Sequence, residues 1–196
     1  MTSTRRSYLE VLASVIEDEI VVSCLGDSSR QWENLKPKRS NIYLRGAMSL
    51  AIPVGVGVAL SMPDHQVVVL EGDGSLLMNI GCLVTVAELE LPNLTILLFN
   101  NGVYESSGGQ RLPGQHASYE ALARAAGIPH CATFDTAEGF STAVRSGLPR
   151  EGPSFFCLKT AYRSGYKPAP LHLTPLEVRD NFLQWVREIR TQQIDE

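Results

Sequence analysis

Two polar side chains at the ends of apolar runs carry the chemistry legible in this chain. Val67-Val68-Val69-Leu70 feeds the acidic turn Glu71-Gly72-Asp73-Gly74-Ser75, and Leu94-Thr95-Ile96-Leu97-Leu98-Phe99 ends on Asn100-Asn101-Gly102. A helix is expected between them, so the segment reads strand, glycine turn, helix, strand. In a parallel sheet the crossover returns both strand ends to one edge, which brings Asp73 together with Asn100. A carboxylate, an amide oxygen and a free carbonyl suit a hard cation such as Mg2+. The glycines let backbone N–H groups approach a phosphate at a helix start. The expected task is to hold a magnesium diphosphate. No GxGxxG turn is present to support a dinucleotide site instead.

The elements that must position these residues follow from the apolar patterning. Val21 to Leu25 reads as a short strand ending on Gly26-Asp27-Ser28-Ser29-Arg30, a second phosphate-type turn. Arg45 to Ala59 reads as a helix whose small residues allow tight packing on the sheet. Leu9 to Ile20 reads as an amphipathic helix, Tyr119 to Ala126 as a helix closed by Gly127, and Ala137 to Ser146 as another. Ser154 to Lys159 is a strand. Pro175 to Gln192 makes a last helix with Leu176, Val178, Phe182, Trp185, Val186 and Ile189 as its apolar face. This alternation predicts an α/β fold, a doubly wound parallel sheet with helices on both faces, as one domain over residues 1–196. Both glycine turns then lie at strand carboxyl ends, where such folds place ligands.

The GDG run, the spacer of 25 residues (75 to 99) and the NN-G run together resemble the signature of thiamine diphosphate-dependent enzymes, in the domain that binds the cofactor's diphosphate. Pro92 before the second strand and the helical Ala87-Glu88-Leu89 agree. The resemblance implies thiamine diphosphate and Mg2+ as cofactors, with Asp73, Asn100 and the Gly102 carbonyl as magnesium ligands. It assigns Gly72, Gly74 and Ser75 to the diphosphate, adds Gly26, Asp27 and Ser28 from the first turn, and makes Val103 and Tyr104 further cofactor contacts. A bulky apolar residue 25 positions before the GDG aspartate props the cofactor in its bent form in such enzymes; here that residue is Met48. Gly46 would offer its carbonyl to the cofactor's 4′-amino group.

Enzymes of this kind also need a pyrimidine-binding domain that carries an activating glutamate. The first phosphate-type turn already stands at residue 26, so a separate subunit is expected to supply that glutamate, in a hetero-oligomer. The run Asn101-Gly102-Val103-Tyr104-Glu105-Ser106-Ser107-Gly108-Gly109-Gln110 is most similar to the sulfopyruvate decarboxylase β subunits and the phosphonopyruvate decarboxylases. The resemblance therefore implies a cofactor-binding β subunit of a 2-oxo acid decarboxylase or carboligase, acting on a small 2-oxo acid. The segment after the last strand keeps Arg163 but not the other arginines of the relatives. A 2-oxoacid oxidoreductase β subunit and a non-catalytic regulatory subunit are the alternatives. Scattered cysteines speak against the first, and intact ligand positions against the second.

Composition limits the remaining classes. The chain has 196 residues, 44% of them hydrophobic, enough for a full core. A net charge of −4 argues against a nucleic-acid binder. No apolar run is long enough to span a membrane, so a cytoplasmic location is expected. Cys24, Cys82, Cys131 and Cys157 lack CxxC spacing and read as reduced core residues. Glu105 and His116 are candidate acid/base groups for the substrate, and Arg111 is a candidate for its carboxylate. His130 and His172 read as structural, and His65 has no expected role.

Overall fold

The computed structural model describes residues 3–195. The first half of the chain runs α1 (Arg5–Val15), β1 (Ile20–Ser23), α2 (Asp27–Leu35), β2 (Ile42–Tyr43), α3 (Ala51–Ser61) and β3 (Val67–Gly72). Next come α4 (Asp73–Leu77), α5 (Cys82–Leu89) and β4 (Leu94–Asn100). A two-stranded ribbon follows, β5 (Val103–Tyr104) and β6 (Gln110–Arg111), with a 3-10 turn at Glu105–Ser107 between its strands. The chain closes with α6 (Tyr119–Ala125), β7 (His130–Phe134), α7 (Ala137–Ala143), β8 (Ser154–Lys159) and α8 (Pro175–Asp195).

Six strands form one parallel sheet in the order β2-β1-β3-β4-β8-β7. Its central strands are apolar along their whole length because both faces are covered. Alternate residues serve opposite sides. Val67, Val69, Ile96 and Leu98 join α3, α5 and α6, with Phe182, Trp185, Val186 and Ile189 of α8 packed against them. Val68, Leu70, Leu97 and Phe99 join α1, α2 and α7 on the other face. The order reverses at β1, which is flanked by β2 and β3, so a crevice opens at the carboxyl ends of β1 and β3.

The doubly wound parallel sheet is thus as the sequence predicts, while several boundaries differ for identifiable reasons. The first helix is α1 at Arg5–Val15 rather than Leu9–Ile20. Thr4 caps it by accepting from Ser7 N, and Ile20 is drawn into β1 opposite Val67. The helix expected from Arg45 begins only at Ala51, because Gly46 (φ 69°) and Ser49 (φ 68°) take left-handed backbone. The helix expected to run to Ser146 ends at Ala143. There is no loop at Gly72-Asp73-Gly74: β3 runs into α4 directly. Leu176 is exposed on α8 rather than part of its packed face. β2, β7 and the β5–β6 ribbon are short or half-buried and carry little hydrophobic signal.

The small residues of α3 do permit close approach. A Cβ built on Gly55 would run into Cγ2 of Val69, whereas one on Gly57 meets nothing within 4 Å. Gly55→Ala is therefore expected to destabilise the fold by about 1–3 kcal/mol through overpacking. Gly57→Ala should stabilise it by about 0.5–1 kcal/mol through helix propensity. Chemical denaturation of the two variants checks this, and equal effects would contradict the packing described.

Candidate active site

A cleft of about 520 Å3, open mouth included, lies at the carboxyl ends of β1, β3 and β4. Two helix starts reach it. Gly26, in left-handed backbone at φ 86°, turns the chain from β1 into α2 and puts Asp27 and Ser28 on the cleft wall. Gly72, Asp73, Gly74 and Ser75 form the facing wall at the β3–α4 junction. Position 74 has no room for a side chain, since a Cβ there would sit 2.7 Å from Cε1 of Tyr104.

Register brings the two key side chains together. Gly72 pairs with Phe99, so Asp73 and Asn100 leave neighbouring strands side by side. Asp73 is buried. Its Oδ2 accepts from Gly102 N at 2.7 Å and its Oδ1 from Gly74 N at 2.9 Å. Burial raises its proton affinity, while N–H groups of Gly102, Gly74 and Asn101 oppose the rise. The Asn100 amide nitrogen donates to Cys157 Sγ at 3.8 Å, and its oxygen has no hydrogen-bond partner among the described residues. The Gly102 carbonyl accepts from Leu112 N at 2.9 Å and Gln115 Nε2 at 3.1 Å. Joining a metal therefore requires Gln115 to give up that contact.

Of the other residues singled out by sequence, Met48, Val103, Tyr104 and Glu105 line the cleft. Gly46 does not; it lines an adjoining larger cleft with Arg30, Arg45, Arg163 and Lys167. His116 and Arg111 are exposed and line neither cleft. The segment between β6 and α6 carries His116 past the strand ends rather than into the crevice. His130 is half-buried on β7, and the His172 backbone N–H donates to the buried Glu33 carboxylate at 2.8 Å. His65 packs edge-on against Trp185 at 5.5 Å between ring centroids. All four cysteines are free, with Cys24 and Cys157 buried.

Sequence reasoning missed two contributors. Arg5, at the start of α1, reaches across to Glu105 at 2.6 Å. Nothing local in the sequence links positions 100 residues apart. Gln115 stands in a polar loop that gives no periodic signal.

Three comparisons bear on this geometry. Residues 22–157 match the family of the thiamine pyrophosphate enzyme, C-terminal TPP binding domain. The chain belongs to that family. The phosphonopyruvate decarboxylase of Streptomyces viridochromogenes is 37% identical over 184 residues, which are 93% of this chain and 46% of that protein. The sulfopyruvate decarboxylase subunit beta of Methanococcus maripaludis is 28% identical over 188 residues, 96% of this chain and 100% of the subunit. The chain thus spans about half the length of the phosphonopyruvate decarboxylases it matches. Among solved structures, the thiamine diphosphate-dependent 4-hydroxybenzoylformate decarboxylase of Rhodococcus jostii RHA1 aligns with a TM-score of 0.73 at 25% identity. That alignment takes in 84% of this chain and 34% of the other.

Beneath this thiamine pyrophosphate-binding fold's glycine turn lies Glu71, buried at 1% exposure. Burial pushes its carboxyl above the usual range, against hydrogen bonds from Ser75, Gly72, Cys24 and Ile52. A raised carboxyl binds its proton more tightly in the folded chain than in the unfolded one. Its contribution is therefore full below the ordinary glutamate pKa and is lost as pH rises through the raised value. Glu71→Gln removes that titration and keeps an acceptor. Its melting temperature should gain on the parent's as pH rises from 4 to 8, by thermal scans across that range. A constant difference would contradict the burial cost.

Proposed function

We propose that the chain is the cofactor-binding subunit of a two-component thiamine diphosphate-dependent 2-oxo acid decarboxylase. The supporting observation is the pairing of Asp73 and Asn100 at adjacent strand ends, beside glycine-lined helix starts. The donor set fits the group: a carboxylate, an amide oxygen and a carbonyl for Mg2+, and backbone N–H groups of Asp27, Ser28 and Ser75 for a diphosphate. Bound thiamine diphosphate supplies the sink for the electrons left when a 2-oxo acid loses CO2. Asp73, Asn100 and Gly102 hold the metal; Met48 supports the cofactor from the cleft wall. Carboligation, with a second carbonyl compound as acceptor, uses the same residues.

Two surface features support the rest of the reading. Leu50, Met78, Ile80 and Val84 are exposed around the starts of α3 and α5, on the segments that follow the cleft residues Met48 and Ser75. A cluster of exposed apolar side chains at the rim of a site suits a partner subunit, here one that brings the activating glutamate. The adjoining cleft carries Arg163 and Lys167, which form no ion pair among the described residues, with Arg30 and Arg45 beside them. This charge suits a 2-oxo acid that bears a second anionic group, such as a sulfonate or phosphonate.

Two outcomes follow. Asp73→Ala should lower magnesium-dependent affinity for thiamine diphosphate by about 100-fold or more, because it removes one ligand of a small cation that demands near-ideal geometry. Calorimetry with cofactor and Mg2+ measures this, and unchanged affinity would mean that the turn is only structural. The chain alone should be silent toward 2-oxo acids and gain decarboxylase activity with a pyrimidine-type subunit. Full turnover by the single chain, followed as CO2 release, would overturn the two-component reading.

A further inference from the structure

The cleft beside Asp73 is walled by more negative charge than positive. Among the described residues that line it, Arg5 is the one cation, set against Asp27, Asp73 and Glu105. Its guanidinium lies over the Phe99 ring, 5.6 Å from the centroid, and Nη2 donates to Glu105 Oε2 at 2.6 Å. The two side chains are only 11% and 19% exposed. The same Glu105 oxygen accepts from Asn101 Nδ2 at 3.2 Å, so the pair is tied to the loop that carries Asn100 and Gly102.

A guanidinium has five N–H donors. Among the described residues Arg5 uses one, on Glu105, and its Nε is buried with no acceptor. A buried charged donor left without an acceptor is costly, and an anion in the cleft removes that cost. We propose that Arg5 is a binding residue for the diphosphate: Glu105 anchors one edge of its guanidinium, and the remaining donors take a phosphate oxygen. The assignment rests on the reading of the cleft as a diphosphate site. It explains how a wall with three carboxylates admits a polyanion, since Arg5 and the magnesium together offset them. The guanidinium's field reaches Asp27 and favours its ionised form. The anchoring also defines a second effect, because loss of Arg5 would free Glu105.

The test is calorimetric titration of the full chain, in the presence of Mg2+, with thiamine diphosphate and separately with inorganic pyrophosphate. Arg5→Gln should weaken both ligands by about 10- to 100-fold, the range for a hydrogen bond to a charged group. Arg5→Met, which keeps an apolar stem against Phe99, should do the same and carries the test if the glutamine variant does not fold. Glu105→Gln leaves the guanidinium in place and should cost less than tenfold. Pyrophosphate affinity equal to the parent's in a folded Arg5 variant overturns the assignment alone. A Glu105→Gln loss as large as that of Arg5→Gln also overturns it, since Arg5 would then act only by holding Glu105. A parent chain that binds neither ligand overturns the diphosphate reading and this assignment together.

Discussion

The parallel register between β3 and β4 is the constraint on which the site depends. Val67 to Leu70 and Leu94 to Phe99 are buried on both faces, with alternate residues in opposite halves of the core. A slip of one residue would exchange the two sets of side chains and leave neither face packed. The core therefore fixes Gly72 against Phe99 and, one step on, Asp73 against Asn100. The 2.7 Å bond from Gly102 N to Asp73 is a consequence of this register. Precision in the site derives from apolar packing below it.

The same arrangement concentrates acidic groups where water is scarce. Glu71 and Asp73 are buried, and Asp27 and Glu105 face each other across the cleft. Such a cluster costs stability in the free protein, and backbone N–H groups, the side chains of Ser75, Cys24 and Asn101, and the guanidinium groups of Arg5 and Arg30 offset part of it. In the proposed function, a divalent cation with its anionic partner would complete the set. On that reading, the cost of the acidic cluster and the affinity for a metal diphosphate have one source.

The sheet, its parallel sense and the apposition of Asp73 with Asn100 are legible in sequence because long apolar runs carry them. The last helix, expected over Pro175 to Gln192, is also readable from its helical periodicity and runs on to Asp195. What escaped depends on contacts between distant segments. Ile20 looks helical by its neighbours, but pairing with Val67 makes it strand. Gly46 and Ser49 delay α3 through backbone angles that residue type alone does not dictate. His116 shares a stretch of sequence with the glycine-rich loop, yet the ribbon between Val103 and Arg111 carries it into solvent. Arg5 entered the cleft only once α1 was packed against α2 and α7.

The proposed function requires Asp73, Asn100 and the Gly102 carbonyl to hold a divalent cation against a diphosphate. Crystals of the chain with thiamine diphosphate and Mn2+ in place of Mg2+ test it most directly, because manganese gives an anomalous peak. One peak is expected at about 2.0–2.2 Å from Asp73, Asn100 Oδ1 and the Gly102 carbonyl oxygen, with the Gln115 amide turned away. A diphosphate bound with the metal elsewhere, or Gln115 still on the Gly102 carbonyl and no metal between Asp73 and Asn100, would contradict it.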